Sequence, residues 1–210
     1  MDDVILNYIA AIGGSRALAY VGANTGQELE FCKKVADQIY AFEPITLPSV
    51  WNALITHADN KTKIFDVAVS DTNGIELIYP ASNNFESSSL LQPNFVEKEY
   101  THLHFGEPIA VKTRRFDSFD FANTVDTLII DVQGAEYRVL QGITDYRNLK
   151  LIVLEYTVCP EEHTLYKGNS RFDQIYQKLN DHGLEFCQSH TTYFNPQTRI
   201  IHSNAIFMRF

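Results

Sequence analysis

Along this chain the spacing of apolar residues switches back and forth between the period of a helix and that of a strand. Ile5, Tyr8, Ile9 and Ile12 give Asp2–Ile12 a helical apolar face that stops at Gly13-Gly14-Ser15. Ala17–Val21 is a short apolar run ending in glycine, the pattern of a buried strand. Leu29, Cys32 and Ala36 predict a helix over Gln27–Ala36. Gln38–Phe42 predicts a strand that Pro44 ends, since proline cannot continue the ladder. Pro48 can open a helix running to His57, and Lys63–Val69 reads as a further strand. After the turn-rich Ser70–Gly74, with its Asn-Gly pair, Ile75–Tyr79 is expected to return as an antiparallel strand.

The stretch from Pro80 to Pro108 is polar and irregular, with one short helix predicted over Phe95–Leu103. Ile109–Phe116 alternates again. Val125–Asp131 is the most hydrophobic strand candidate, followed by a helix from Gly134 to Leu140. Leu151–Tyr156 repeats the strand pattern and Arg171–Asn180 the helical one. The chain closes on a hairpin, Leu184–Phe194 and Arg199–Phe210, around Asn195-Pro196-Gln197-Thr198. Strands alternating with helices predict an α/β fold: a Rossmann-like, mostly parallel sheet with helices on both faces and an antiparallel last strand. In such sheets ligands bind beyond the carboxyl ends of the strands. The residues after each strand are therefore the candidates for chemistry.

Composition narrows the function classes. The 210 residues carry 26 acidic and 17 basic side chains, a net charge of -9, with 45% hydrophobic residues. That length fits one domain over 1–210, and the balance is that of a globular chain. The acidic surplus argues against a broad nucleic-acid or anionic-membrane surface, which needs a basic face. No apolar run reaches the roughly 18 residues of a spanning helix. Cys32, Cys159 and Cys187 are odd in number, widely spaced and fit no zinc pattern. They point to a reducing compartment, the cytoplasm.

The strand ends carry the chemistry. Gly22 and Gly26 in Val21-Gly22-Ala23-Asn24-Thr25-Gly26 allow a tight turn and close approach of a ligand to the next helix. Glu43, about twenty residues on, ends the second strand, where an acid can take both hydroxyls of a ribose. Together they indicate a nucleoside-containing cofactor. Asn24, where a dinucleotide fold prefers glycine, turns the choice away from NAD, and Tyr137 and Tyr176 lack the Lys four residues on of a Tyr-x-x-x-Lys pair. Asp131 and Glu155 end two near-continuous apolar runs and are expected to face the cleft side by side. There mutual repulsion would raise at least one pKa into the range of a general base. The competing structural roles are a helix N-cap for Asp131 and an ion pair with Lys or Arg for Glu155.

The series Val21-Gly22-Ala23-Asn24-Thr25-Gly26, Phe42-Glu43-Pro44, Val67-Ala68-Val69-Ser70-Asp71, Arg115-Phe116-Asp117-Ser118, Asp131-Val132-Gln133-Gly134-Ala135-Glu136 and Glu155 resembles the FkbM-type methyltransferases, in order and over nearly the whole chain. The resemblance implies a class I, S-adenosylmethionine-dependent fold with seven strands and O-methylation of sugars or natural products. It implies that Gly22, Ala23, Asn24 and Gly26 line the methionine end of the cofactor and Glu43 its ribose. Asp66 and Ala68 would flank the adenine, Ser88 and Ser89 would lie near the cofactor, and Asp131 would border it. Three positions depart from the family pattern: Tyr20 stands for an aspartate, Ile129 for a lysine and Gln133 for a glutamate.

A sugar hydroxyl is a poor nucleophile at neutral pH and gains from a base within hydrogen-bond reach. Asp131 is the first candidate, Glu155 the second and His163 the third. No third acidic ligand stands beside the two carboxylates, so no divalent metal is expected. The acceptor would be a carbohydrate or glycan hydroxyl, a deoxyhexose such as rhamnose being favoured. The loops 80–108 and 157–170 would form the substrate side; Asn83–His104 and Cys159–Ser170 within them carry Tyr, His and Asn suited to sugars. The helix over 1–15 precedes this core. The alternatives are a small natural product or amine as acceptor, and a non-catalytic interaction module. With so little chain outside the cofactor core, the protein is expected to be part of, or associated with, a larger glycan-synthesis polypeptide carrying glycosyltransferase domains.

Overall fold

The computed structural model describes residues 3–210, so Met1 and Asp2 of the predicted first helix lie outside it. Helix α1 (Asp3–Ala11) ends on Gly13 and Gly14, whose φ values of 82° and 85° turn the chain out of the helix. Then follow β1 (Ser15–Val21), α2 (Leu29–Val35), β2 (Ala36–Phe42), α3 (Pro48–His57), β3 (Thr62–Phe65), β4 (Ala68–Val69) and β5 (Gly74–Ile78). The second half contains α4 (Val96–Glu99), β6 (Ile109–Arg114), β7 (Thr127–Ile130), α5 (Glu136–Gln141) and β8 (Leu151–Val158). It closes with α6 (Phe172–Asp181), β9 (Glu185–Asn195) and β10 (Ile200–Met208).

Seven strands form one sheet in the order β3-β2-β1-β7-β8-β10-β9. The first five run parallel, and β10 runs antiparallel to both its neighbours. The period of two along each strand separates two cores. Leu18 and Tyr20 of β1 face Ile5, Ile9, Leu29 and Leu54 of α1, α2 and α3. Ala17, Ala19 and Val21 face Val139, Leu140, Ile175 and Leu179 of α5 and α6. Helices thus cover both faces.

Two predicted elements change. The run Lys63–Val69 divides: β3 stays on the main sheet, while β4 joins a separate three-stranded sheet ordered β4-β6-β5. The chain leaves the main sheet at Asp66 so that Ala68, Ile78 and Val111 can bury a small core with Ile45 and Val50. Ile75–Tyr79 does return antiparallel, but onto β6, which lies between it and β4. The helix expected over Phe95–Leu103 shrinks to the single turn of α4. Among the described residues no helix is long and apolar enough to cross a membrane.

Candidate active site

The parallel strands bring the ends of β1, β2, β7 and β8 to one edge of the sheet. At the end of β1 the backbone turns sharply at Gly22, φ 90°. A Cβ there would lie 1.7 Å from the Asp131 carbonyl oxygen, so only glycine lets β1 and β7 meet. Gly22 and Ala23 both donate their N–H groups to the Phe42 carbonyl, at 3.1 and 3.0 Å, tying the turn to β2. Gly26 (φ 81°) lies against Leu54 of α3, where a Cβ would strike the Leu54 side chain.

Glu43, 5% exposed, is held entirely by backbone: Asn24 N–H donates to Oε2 at 2.9 Å and Ile45 N–H to Oε1 at 2.7 Å. Burial pushes its carboxyl up to about 7, against the two N–H donors. The cleft beside it has an apolar half, with Phe42, Val67, Ala68, Ile78, Phe85 and Leu90, and a polar half with Asn24, Glu43, Ser88, Ser89, Asp131 and Gln133. Its mouth is bordered by Tyr20, Ala23, Thr25, Gln27, Glu28, Asn83 and Ser87. Asn24 (φ 43°), Phe85 (φ 67°) and Gln133 (φ 54°) line it in the left-handed conformation, backbone strain gathered at one site.

At the end of β7 the register sets Ile130 beside Leu154, so Asp131 comes to stand beside Glu155. Gln133 joins them: its Nε2 donates to Asp131 Oδ1 at 2.7 Å and to Glu155 Oε2 at 2.9 Å. Both carboxyl pKa values are raised. Loss of hydration is the main cause for each, and the charge of Asp131 adds to it for Glu155, which is raised far more. The proton of the pair is therefore favoured on Glu155, with Asp131 the member that ionises first. Neither structural alternative holds. Ala135, not Asp131, precedes α5, and Glu136 itself accepts from the Gly134 N–H at 2.9 Å. Among the described residues no Lys or Arg pairs with Glu155; the basic side chain beside it is His202, with Nδ1 4.0 Å from Oε1.

Gly22, Asn24, Glu43, Ala68, Ser88, Ser89 and Asp131 thus share one cleft, with Ala23 at its mouth and Gly26 behind the turn. Asp66 stands outside it, exposed and paired with Lys112 at 2.7 Å; its neighbour Val67 takes the place on the wall. Glu155, expected to face the cleft beside Asp131, lines only a small cavity behind it, and His163 is also outside. Its Nδ1 lies 2.7 Å from the Thr198 carbonyl and its ring stacks on Phe95 at 4.4 Å, holding the loop that contains it. Sequence reasoning passed over two residues of the site. Gln133 stands where the family pattern has a glutamate, and its amide bridges the acids. His202 lies opposite Thr157 in the β8–β10 register, two residues from Glu155 on the same face; the period of two in β10 was the available signal.

The site suits a cationic nucleoside. No Lys or Arg borders the cleft or its mouth among the described residues, while Glu28, Glu86 and Asp131 do. A pyrophosphate would find no counter-charge there; a sulfonium and an ammonium would. Asn24, which lines the cleft, has its Oδ1 buried without a hydrogen-bond partner. No group of three or more His, Cys, Asp or Glu is placed to hold a metal ion among the described residues.

A seven-stranded Rossmann-like sheet with a glycine turn after its first strand and an acid after its second is the class I methyltransferase fold. The chain belongs to the FkbM methyltransferase domain family, whose pattern matches residues 21–186. It is similar to the 2-O-methyltransferase NoeI of Sinorhizobium fredii (strain NBRC 101917 / NGR234), 28% identical over 162 residues, 70% of this chain. It spans 64% of the length of that relative. Among solved structures it resembles magnesium protoporphyrin IX methyltransferase (ChlM) from Synechocystis PCC 6803 with bound S-adenosylmethionine. There the TM-score is 0.53 at 12% identity, covering 99% of this chain and 77% of that one. It also resembles the N-methyltransferase NodS from Bradyrhizobium japonicum WM9, with TM-score 0.53 at 8% identity over 98% and 93% of the two chains. At these identities the likeness to the solved structures is one of fold.

Proposed function

We propose that the chain is an S-adenosylmethionine-dependent O-methyltransferase acting on a sugar hydroxyl of a glycan, a deoxyhexose such as rhamnose being the favoured acceptor. The observation that carries this reading is Asp131, tied through Gln133 to Glu155 behind it, at the polar end of a cleft with no Lys or Arg on its lining among the described residues. The cofactor supplies an electrophilic methyl on a sulfonium. Glu43 would hold its ribose, the apolar walls its adenine and Asp131 its cationic end. Much of the rate then comes from holding acceptor oxygen and methyl in line. Asp131 would take the hydroxyl proton as the acceptor oxygen receives the methyl, the S–C bonding pair leaving with sulfur.

The O-methyl chemistry named for the Sinorhizobium relative supports a hydroxyl acceptor. The polar segment over Asn83–His104 beside the cleft suits a sugar, and the deoxyhexose rests on the family resemblance. A glycan acceptor would place the chain in the cytoplasm with glycosyltransferase domains, fused or associated. The test is incubation with methyl-labelled S-adenosylmethionine and a panel of defined oligosaccharides, read by mass and position. Label on a glycan hydroxyl is the expected result. Turnover of phenols or amines alone would overturn the sugar reading. Absence of cofactor binding in calorimetry, with no change in melting temperature, would overturn the enzyme.

A further inference from the structure

One polar side chain at the cleft has no part in the chemistry described above. Tyr20, the next-to-last residue of β1, is 5% exposed and packs in the core beneath α1, α2 and α3. It also borders the mouth of the cleft, with Gly22, Ala23, Asn24 and Asp131. Among the described residues its hydroxyl has no hydrogen-bond partner, and the oxygen is not sealed from the mouth. Burial first, and then the charges of Asp131 and Glu28, hold its pKa well above that of an ordinary phenol. At neutral pH the group therefore keeps its hydrogen and has nothing in the protein to donate it to.

Asn24 supplies the complement. It lines both the cleft and its mouth, and its Oδ1 is buried without a hydrogen-bond partner. Polar groups left unpaired away from water are costly. A donor and an acceptor both unpaired at one mouth thus point to a ligand carrying the opposite pair. The amino-acid end of S-adenosylmethionine carries it: a carboxylate that only accepts and an ammonium that only donates. An ammonium cannot take the phenol hydrogen; a carboxylate can. No Lys or Arg borders the cleft or its mouth among the described residues, so the carboxylate must be met by neutral donors. Glu28, Glu86 and Asp131 stand on the same mouth, which favours the ammonium and leaves the carboxylate dependent on such a donor.

We propose that Tyr20 binds the α-carboxylate of S-adenosylmethionine, its hydroxyl donating to a carboxylate oxygen while Asn24 Oδ1 and the acids of the mouth receive the ammonium. The assignment rests on S-adenosylmethionine as the cofactor and on nothing about the acceptor. It also gives a physical meaning to the departure at this position. An ionised aspartate, as in the family pattern, could only accept a hydrogen bond and would meet the ammonium. The phenol donates, so the exchange turns this contact to the other half of the amino acid. Recognition then depends on the carboxylate, and a cofactor analogue without it makes no use of Tyr20.

Calorimetric affinities of the wild type and of Tyr20→Phe decide the matter, with four ligands and no acceptor. Two are S-adenosylmethionine and S-adenosylhomocysteine. The third is decarboxylated S-adenosylmethionine, which lacks the carboxylate, and the fourth is deaminated S-adenosylhomocysteine, which lacks the ammonium. Tyr20→Phe should weaken the three carboxylate-bearing ligands about tenfold, the worth of a hydrogen bond to a charged group. The decarboxylated ligand should bind as before. The variant keeps the ring and loses no hydrogen bond within the protein, so its ligand-free melting temperature should not fall. A loss that includes the decarboxylated ligand equally, or no loss for any, overturns the proposal. A loss that spares the deaminated ligand also overturns it and gives Tyr20 to the ammonium. So does a melting temperature several degrees lower, which would give the hydroxyl a structural partner. A wild type that binds none of the four overturns the cofactor reading and this proposal with it, and that failure shows without the variant.

Discussion

The two halves of the cleft are built from different materials. The cofactor half is backbone: the turn at Gly22, the N–H groups of Asn24 and Ile45 on Glu43, and the apolar wall of Val67 and Ala68. The half where the proton must go is side chain on side chain: Gln133 between Asp131 and Glu155, then His202 on Thr157 and Tyr100, and Tyr193 on Glu99. A site made of backbone binds what every member of the fold binds. A site made of side chains from five separate segments can be changed one residue at a time, which is where acceptor choice and acid–base chemistry belong.

Substitutions should separate the halves. Asp131→Asn keeps the size and the Gln133 contact while removing the base, so kcat should fall by about 10³-fold, with S-adenosylmethionine affinity changed far less. Single-turnover rates beside calorimetric affinities check this. Equal loss in both would mean that Asp131 serves the cofactor half. Gly22→Ala strikes the seam between the halves, since its Cβ would overlap the Asp131 carbonyl. We expect about 2–4 kcal/mol of lost stability by denaturant titration and a weakened cofactor site, because the strand ends must separate. Near-wild-type stability would show that the seam yields without cost.

The same division decides what was legible in the sequence. Gly22, Asn24 and Glu43 lie within one strand-turn-helix-strand unit, where glycine positions and chain length dictate the geometry. The pairing of Asp131 with Glu155 followed from two apolar runs ending in acids on neighbouring strands. The Tyr100–His202 link joins residues 102 positions apart, and only the antiparallel register of β10 on β8 brings His202 to Thr157. Loop position made His163 the natural candidate, yet that loop folds onto Phe95 and Thr198, away from the acids. The division of Lys63–Val69 between two sheets was hidden for a related reason: a short apolar run shows that it will be buried and not against which partner.

A smaller effect should follow at Gln133, which belongs to the side-chain half. Its amide hydrogen bonds favour the charged form of both carboxyls. Without them, Asp131 stays protonated to higher pH. Gln133→Leu should therefore move the acid limb of the kcat profile up by about one pH unit, the worth of a hydrogen bond to a charged group. At pH 7 that is up to about tenfold in rate, recovered as pH rises. A profile that drops in height without moving would instead make Gln133 a packing residue.

The gentlest probe is pH acting on the cofactor half alone. Glu43 is raised to about 7 because burial outweighs its two N–H donors. Its folded pKa lies above the unfolded value, so its contribution to apo-protein stability is complete below about 4.5 and is lost as pH rises through about 7. Binding runs the other way. Two ribose hydroxyls donating to the carboxylate favour its charged form, so S-adenosylmethionine should release a proton on binding near neutral pH. Its affinity should strengthen as pH rises through about 7, by about fivefold between pH 6 and 7, and level off above. Calorimetry in buffers of different ionisation enthalpy measures that proton directly. Glu43→Gln should bind more weakly, with this step in the affinity profile removed. A step that survives in Glu43→Gln would move the titrating group to Asp131 and Glu155, and the two halves would then be coupled through the cofactor rather than independent.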